Sequence, residues 1–166
     1  KVKTKESLWI PSSGIIDSHG VMSRLESLSQ INNVSFLYKN EVTSIEKSKE
    51  GFNLFIKDNL EYISSNIVIN AAGLWAHKIS EILGVNKYVI DYYKGDYYKC
   101  KSINKLNCLI YPIPKIESLG IHSVLQLNGQ VSFGPNIYKV DSINYSINNY
   151  YKEEYYNHIK KYFNIK

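Results

Sequence analysis

Between Asn66 and Gly84 the chain changes its hydrophobic period once, and the change turns on three small residues. "NIVIN" places Ile67, Val68 and Ile69 in a row, the composition of a buried strand. "AAG" follows. Trp75, Ile79, Ile82 and Leu83 then return at helical spacing, with Gly84 positioned as a left-handed cap. A strand that leaves through Ala71-Ala72-Gly73 leaves its backbone bare at the turn. Either a helix packs tightly against a sheet there, or something large and flat approaches the backbone.

The flanking sequence sets the fold class. Gly14 breaks the pattern upstream, and Asp17 or Ser18 is placed to cap a helix over about Ser18–Gln30, with Val21, Leu25 and Leu28 on one face. "NNVSFLYKN" reads as a short strand. Residues 41–70 alternate apolar and polar, with a turn near Gly51. They predict a meander of two or three antiparallel strands ending in a buried strand, Asn66–Asn70. From Tyr88 the chain is strand-like again, in "YVIDYYKGDYYKC", "CLIYPIP", "LGIHSVLQL" and "QVSFGP". Asn128-Gly129 marks a hairpin between the last two. Tyr151, Tyr155, Ile159 and Phe163 share a face of a final amphipathic helix. The expected class is α+β. Residues 1–86 form one lobe (helix, meander, buried strand, helix), residues 87–140 an antiparallel sheet, and residues 141–166 the C-terminal helix.

Composition narrows the function. No run approaches the ~18 apolar residues of a membrane span, and the charged first residues carry no secretory pattern. The compartment is left open, with the cytoplasm expected. Of the 20 basic residues only Arg24 is arginine, and the lysines are scattered. That argues for a solvated basic surface rather than a nucleic-acid reader, which leans on the arginine fork. Cys100 and Cys108 fit reduced thiols, with a hairpin disulfide as the alternative. The four histidines, His19, His77, His122 and His158, show no metal-ligand spacing, so no metal is expected. GxGxxG, Walker, GxSxG and CxxC motifs are all missing.

Five phrases occur in order: "PSSGIIDSHGVMSRL", "VINAAGLWAHKISEILG", "YYKGDYYKC", "IYPIP" and "LGIHSVLQLNGQVSFGPN". Together, over roughly residues 8–138, they resemble the FAD-dependent oxidoreductases of the D-amino-acid-oxidase superfamily. The branch they resemble most is that of L-2-hydroxyglutarate dehydrogenase/oxidase. The resemblance implies an antiparallel substrate-binding sheet plus part of a Rossmann-like FAD-binding domain. It implies FAD as cofactor, and oxidation of L-2-hydroxyglutarate or a similar 2-hydroxy acid to the 2-oxo acid by hydride transfer to flavin.

It also implies site residues. Ala71, Ala72 and Gly73 would let the FAD approach the backbone, with Leu74 and Trp75 packing behind and the next helix presenting its free amides. Gly95 would permit close approach at the flavin edge. Lys94 or Tyr97 would meet a substrate carboxylate, although tyrosines at alternate strand positions are also ordinary sheet packing. His122, in "LGIHSV", is the candidate base for the hydroxyl proton, since an imidazole with a pKa near ~6.5 suits that role. The alternatives are a strand histidine bonded to a neighbouring carbonyl, or one that only orients substrate. Gly134-Pro135-Asn136 most simply ends a strand, and Asn136 is a further substrate-side candidate.

The chain departs from the family pattern in two places. The opening strand–GxGxxG–helix unit that cradles the pyrophosphate is missing. In place of the returning cofactor-domain segment stands a lysine- and tyrosine-rich helix. The chain starts at Lys1 rather than methionine, so the expectation is an internal or truncated portion. It would be a fragment of a longer enzyme, a piece of a split enzyme whose second chain carries the GxGxxG half, or a non-catalytic remnant. Faces normally covered in the cofactor lobe would be exposed. A glycine- or sarcosine-type amine oxidase relative is the alternative enzyme.

Overall fold

Asp17 starts the first helix, α1 (Ser18–Ile31). Its carboxylate accepts the Gly20 amide at 3.0 Å and its carbonyl accepts the Val21 amide, an N-cap in the expected place. The computed structural model describes residues 2–101, 103, 106–114, 120–147 and 149–164. They fall into two compact units: Leu28–Asp91, and Lys1–Ser27 together with Tyr92–Lys166. Among the described residues the chain is α+β, with three α-helices and two three-stranded antiparallel sheets. None of these helices is long and apolar enough to cross a membrane.

In the unit Leu28–Asp91 the meander forms as its alternation predicts. β1 (Val42–Ser48), β2 (Gly51–Ile56) and β3 (Tyr62–Ser65) pair in that order. Ile45 lies opposite Leu54, and Ile45 and Ile56 are buried. Gly51 opens β2 at φ +148°, and a Cβ there would stand 2.3 Å from the Ser65 carbonyl oxygen. Only glycine lets β3 close onto the hairpin at that point.

Two expected strands are not formed in this unit. "NNVSFLYKN" is turn and irregular chain, with Asn33 and Lys39 at positive φ that break an extended run. Asn66–Asn70 is neither a strand nor buried; Ile67 and Ile69 are 75% and 83% exposed. A strand is a paired structure, and among the described residues this segment has no ladder partner. Beyond a single 3-10 turn, Gly73–Trp75, lies α2 (Ala76–Ile82). It ends as predicted. Gly84, at φ +74°, donates to the Glu81 carbonyl and Val85 donates to that of Ser80, a Schellman closure.

The other unit is built on β4 (Tyr92–Cys100), β5 (His122–Leu125) and β6 (Val131–Val140), paired in the order β4-β6-β5. The hairpin at Asn128-Gly129 joins β5 to β6, with Gly129 at φ +82°. "CLIYPIP" is not a strand. Pro112 and Pro114 lack the amides a ladder needs, and the segment is held at Ile110, by the amide and the hydroxyl of Ser123. β6 also does not stop at Gly134-Pro135 but runs on to Val140 against Tyr92. A register shift between Asp96 and Tyr98 takes the proline out of the ladder.

One face of this sheet carries the core. α3 (Lys152–Lys160) lays Tyr155 and Ile159 on it, with Phe163 beyond the helix end, as the tail's spacing predicts. Ile121, Val131 and Phe133 complete the buried cluster. The expected apolar face of α1 is not covered: Val21, Leu25 and Leu28 are all exposed. Among the described residues, neither Cys100 nor Cys108 is in a disulfide.

Candidate active site

β4 alternates its side chains, so Lys94, Asp96 and Tyr98 face α3 while Gly95 and Tyr97 face away. The α3 face is a structural network. The Tyr138 hydroxyl donates to the Asp96 carboxylate at 2.9 Å, and the Tyr155 hydroxyl donates to the Asp96 main-chain carbonyl. Tyr155 also accepts the Asn136 amide at 2.7 Å. Burial, first of all, pushes the Tyr155 phenol far above its usual range, and the Asn136 bond offsets part of that. Tyr138 is raised by burial and then by its bond to Asp96.

The opposite face carries the candidate chemistry. Register places His122 across from Gly134. A Cβ on Gly134 would stand 2.5 Å from Cδ1 of Tyr97 and 2.7 Å from the Asp96 carbonyl oxygen, so the Tyr97 ring lies directly on that glycine. His122 is 7% exposed. Its Nδ1 is 3.0 Å from the Gly120 carbonyl oxygen. The Tyr111 ring stacks on its imidazole, with centroids 4.4 Å apart and planes at 27°. The Tyr97 phenol pKa is raised, first by burial and then by the Tyr111 phenol beside it. Tyr97, Tyr111 and His122 thus share one patch, with Tyr97 and Tyr111 exposed at its rim.

The sequence candidates therefore divide. His122 and Tyr97 come together. Gly95 lies on their side of β4, but its bareness has a packing cause, since a Cβ there would stand 2.8 Å from that of Pro135. Lys94 belongs to the other face, where its ammonium donates to the Ser146 carbonyl. Asn136 pairs with Asp96 and gives its amide to Tyr155. Tyr111 was not singled out by the sequence reading. Its signal was available in "YPIP", where two prolines argue against a strand and leave the tyrosine to a shaped loop. A hollow of about 550 Å³ lined by Ile15–His19 and Leu125–Asn128 takes in none of these residues.

Ala71, Ala72 and Gly73 lie in the other compact unit. Asn70 shapes their turn, accepting the Ala72 amide at 3.3 Å and donating to the Ala76 carbonyl at 2.8 Å. Gly73 sits at φ +55°, a left-handed position that favours glycine. A Cβ there would meet nothing within 4 Å, so the backbone is open to approach. Leu74 and Trp75 beside the turn are not buried; they are 40% and 55% exposed. Nor does a long helix follow at once. The left-handed Gly73 interrupts right-handed geometry, and the Trp75 amide is already bonded to the Ala72 carbonyl.

The sequence pattern of the DAO family, FAD dependent oxidoreductases, matches residues 2–165, and the chain belongs to that family. Its relatives include the mitochondrial L-2-hydroxyglutarate dehydrogenase of Arabidopsis thaliana. That protein is 27% identical over 209 aligned residues, covering 98% of this chain and 43% of the relative. The L-2-hydroxyglutarate dehydrogenase of Escherichia coli K12 is 29% identical over 134 residues, covering 78% and 32%. The glycerol 3-phosphate oxidase of Mycoplasma genitalium is 31% identical over 134 residues, covering 78% and 35%. The chain thus spans between about a third and under half of the length of these relatives.

Proposed function

We propose that these residues form the substrate sheet and a slice of the cofactor lobe of an enzyme oxidising L-2-hydroxyglutarate or a similar 2-hydroxy acid to the 2-oxo acid. The division proposed is a partial FAD lobe over residues 1–86, the substrate sheet over 87–140 and the C-terminal helix over 141–166. The observation that carries the reading is the buried His122 under Tyr111, beside Tyr97 on the exposed sheet face. In the reaction His122 takes the proton of the substrate hydroxyl, and the hydride leaves C2. FAD, when bound, supplies the two-electron acceptor. The Tyr97 hydroxyl donates a hydrogen bond to the substrate carboxylate; a phenol carries its proton at neutral pH, and burial raises its pKa further.

The open turn at Ala71, Ala72 and Gly73 fits the approach of a flat ring system, with Leu74 and Trp75 offering apolar surface beside it. Gly95 is explained by Pro135, so the cofactor reading leans on Gly73. Lys94 and Asn136 lie on the other face of the sheet and are not needed by it. The remainder of a family-length cofactor lobe lies outside these residues, on the same chain or on a second chain carrying a GxGxxG unit. The second-chain form rests on sequence alone.

The glycerol 3-phosphate oxidase relative favours one alternative substrate. Both compounds carry a secondary hydroxyl and an anionic group, which is the shared chemistry the patch must serve. The test is FAD binding, read as quenching of flavin fluorescence, followed by turnover of L-2-hydroxyglutarate and of glycerol 3-phosphate. The full chain is assayed alone and with the GxGxxG-bearing remainder supplied. Binding with turnover of the first compound is the expected result. Turnover of glycerol 3-phosphate alone would reassign the substrate, and no binding in either setting would leave a non-catalytic remnant.

A further inference from the structure

The His122 ring has neighbours that the reading above does not use. A carbonyl oxygen only accepts, so the bond from Nδ1 to Gly120 requires the proton on Nδ1. In the neutral ring that leaves Nε2 as the basic nitrogen. The stacked Tyr111 covers one side of the imidazole and limits its rotation. Tyr111 is in turn held from both ends. Before it, Ile110 is clamped by Ser123, a residue with no solvent exposure that directly follows the histidine. The Ser123 hydroxyl accepts the Ile110 amide at 2.8 Å and lies 3.3 Å from the Ile110 carbonyl, and that carbonyl accepts the Ser123 amide at 3.0 Å. After it, Pro112 packs on Gly120, where a Cβ would stand 2.8 Å from Cγ of the proline.

We propose that Tyr111 is a positioning residue for His122: clamped by Ser123 and Pro112, its ring and the Gly120 carbonyl together hold the imidazole as the Nδ1–H tautomer, with Nε2 as the base. The part that concerns catalysis rests on the proposed role of His122. The part that concerns geometry does not.

The test reads the tautomer directly, by long-range ¹H–¹⁵N correlation on the histidine-labelled full chain near neutral pH, with no flavin required. The wild-type His122 is expected to show one tautomer, protonated on Nδ1. Tyr111→Phe keeps the stacking ring and preserves that signature. Tyr111→Ala and Ser123→Ala lose it and give averaged ring nitrogens. Preserved backbone amide shifts for α3 show that the variants fold, and if Tyr111→Ala fails to fold, Ser123→Ala carries the comparison. A wild-type ring protonated mainly on Nε2 overturns the proposal, as does an unchanged signature in a folded Tyr111→Ala or Ser123→Ala protein. Turnover with FAD is measured separately. There Tyr111→Ala is expected to lower kcat by about 10²-fold, the scale of a misplaced catalytic group, with recovery in Tyr111→Phe. If the tautomer responds while His122→Asn leaves turnover intact, the base reading fails and the positioning stands.

Discussion

A phenol in two kinds of surroundings gives two kinds of prediction. Tyr97 and Tyr162 both have raised pKa values, but only Tyr97 lies on the candidate site. Tyr162 gives its hydroxyl to the Ile121 carbonyl, and burial pushes it up to about 12 from 10.0. The folded chain therefore binds this proton more tightly than the unfolded chain does. That stability is whole below pH 10 and is lost as pH rises through about 12. Urea unfolding midpoints taken across this window should fall, and Tyr162→Phe should flatten part of the fall. At the candidate site, His122→Asn removes the proposed base and should lower kcat by about 10²–10⁴-fold. An unchanged steady-state kcat would remove His122 from the chemistry. At the Ala71-Ala72-Gly73 turn, Gly73→Ala meets no atom within 4 Å, so its cost is backbone strain alone, about 1–2 kcal/mol at φ +55°. Gly51→Ala has the Ser65 carbonyl oxygen 2.3 Å from the new Cβ, and thermal unfolding should rank it clearly the more damaging.

Elements that declare themselves by a local pattern were legible, and contacts between segments distant in sequence were not. α3 could be read because Tyr151, Tyr155, Ile159 and Phe163 declare their face without knowing what lies beneath. The meander and the Asn128-Gly129 hairpin join neighbours through short turns, so alternation and turn chemistry were enough. "NIVIN" has strand composition but no ladder partner among the described residues, and composition alone does not make a strand. Tyr111 and His122 are the sharper case. Their stacking depends on a serine clamp between segments thirteen residues apart, and no local period carries it. The packing of α3 on its sheet also yields a prediction. Tyr155→Phe keeps the ring against Tyr98 but deletes the hydroxyl shared by the Asn136 amide and the Asp96 carbonyl. The expected loss is about 1–3 kcal/mol by urea denaturation, since buried main-chain groups are left without a partner.

At the scale of the whole molecule, the family match runs almost end to end while the relatives are more than twice as long. Val21, Leu25 and Leu28 on α1, and Ile67 and Ile69 in the segment Asn66–Asn70, are apolar and exposed. Exposed apolar surface of this kind drives association. Light scattering of the isolated chain should therefore show mass rising with concentration. Replacing Ile67 and Ile69 with threonine should reduce that rise without altering the sheet built on β4, β5 and β6. A chain that stays monomeric at every concentration would mean that these side chains find cover within the molecule.

Tyr155 also sets an order in time. Its hydroxyl joins the Asp96 carbonyl and the Asn136 amide, beside the register shift between β4 and β6. In effect a side chain stands in there for a missing peptide group. Because Tyr155 follows both strands in the chain, a ribosome releases the sheet before it releases the residue that completes it. A nascent chain that has emerged only as far as Val140 holds its strands with one donor and one acceptor unfilled. α3 therefore closes this sheet after both of these strands have been made, and is not an appendage to it.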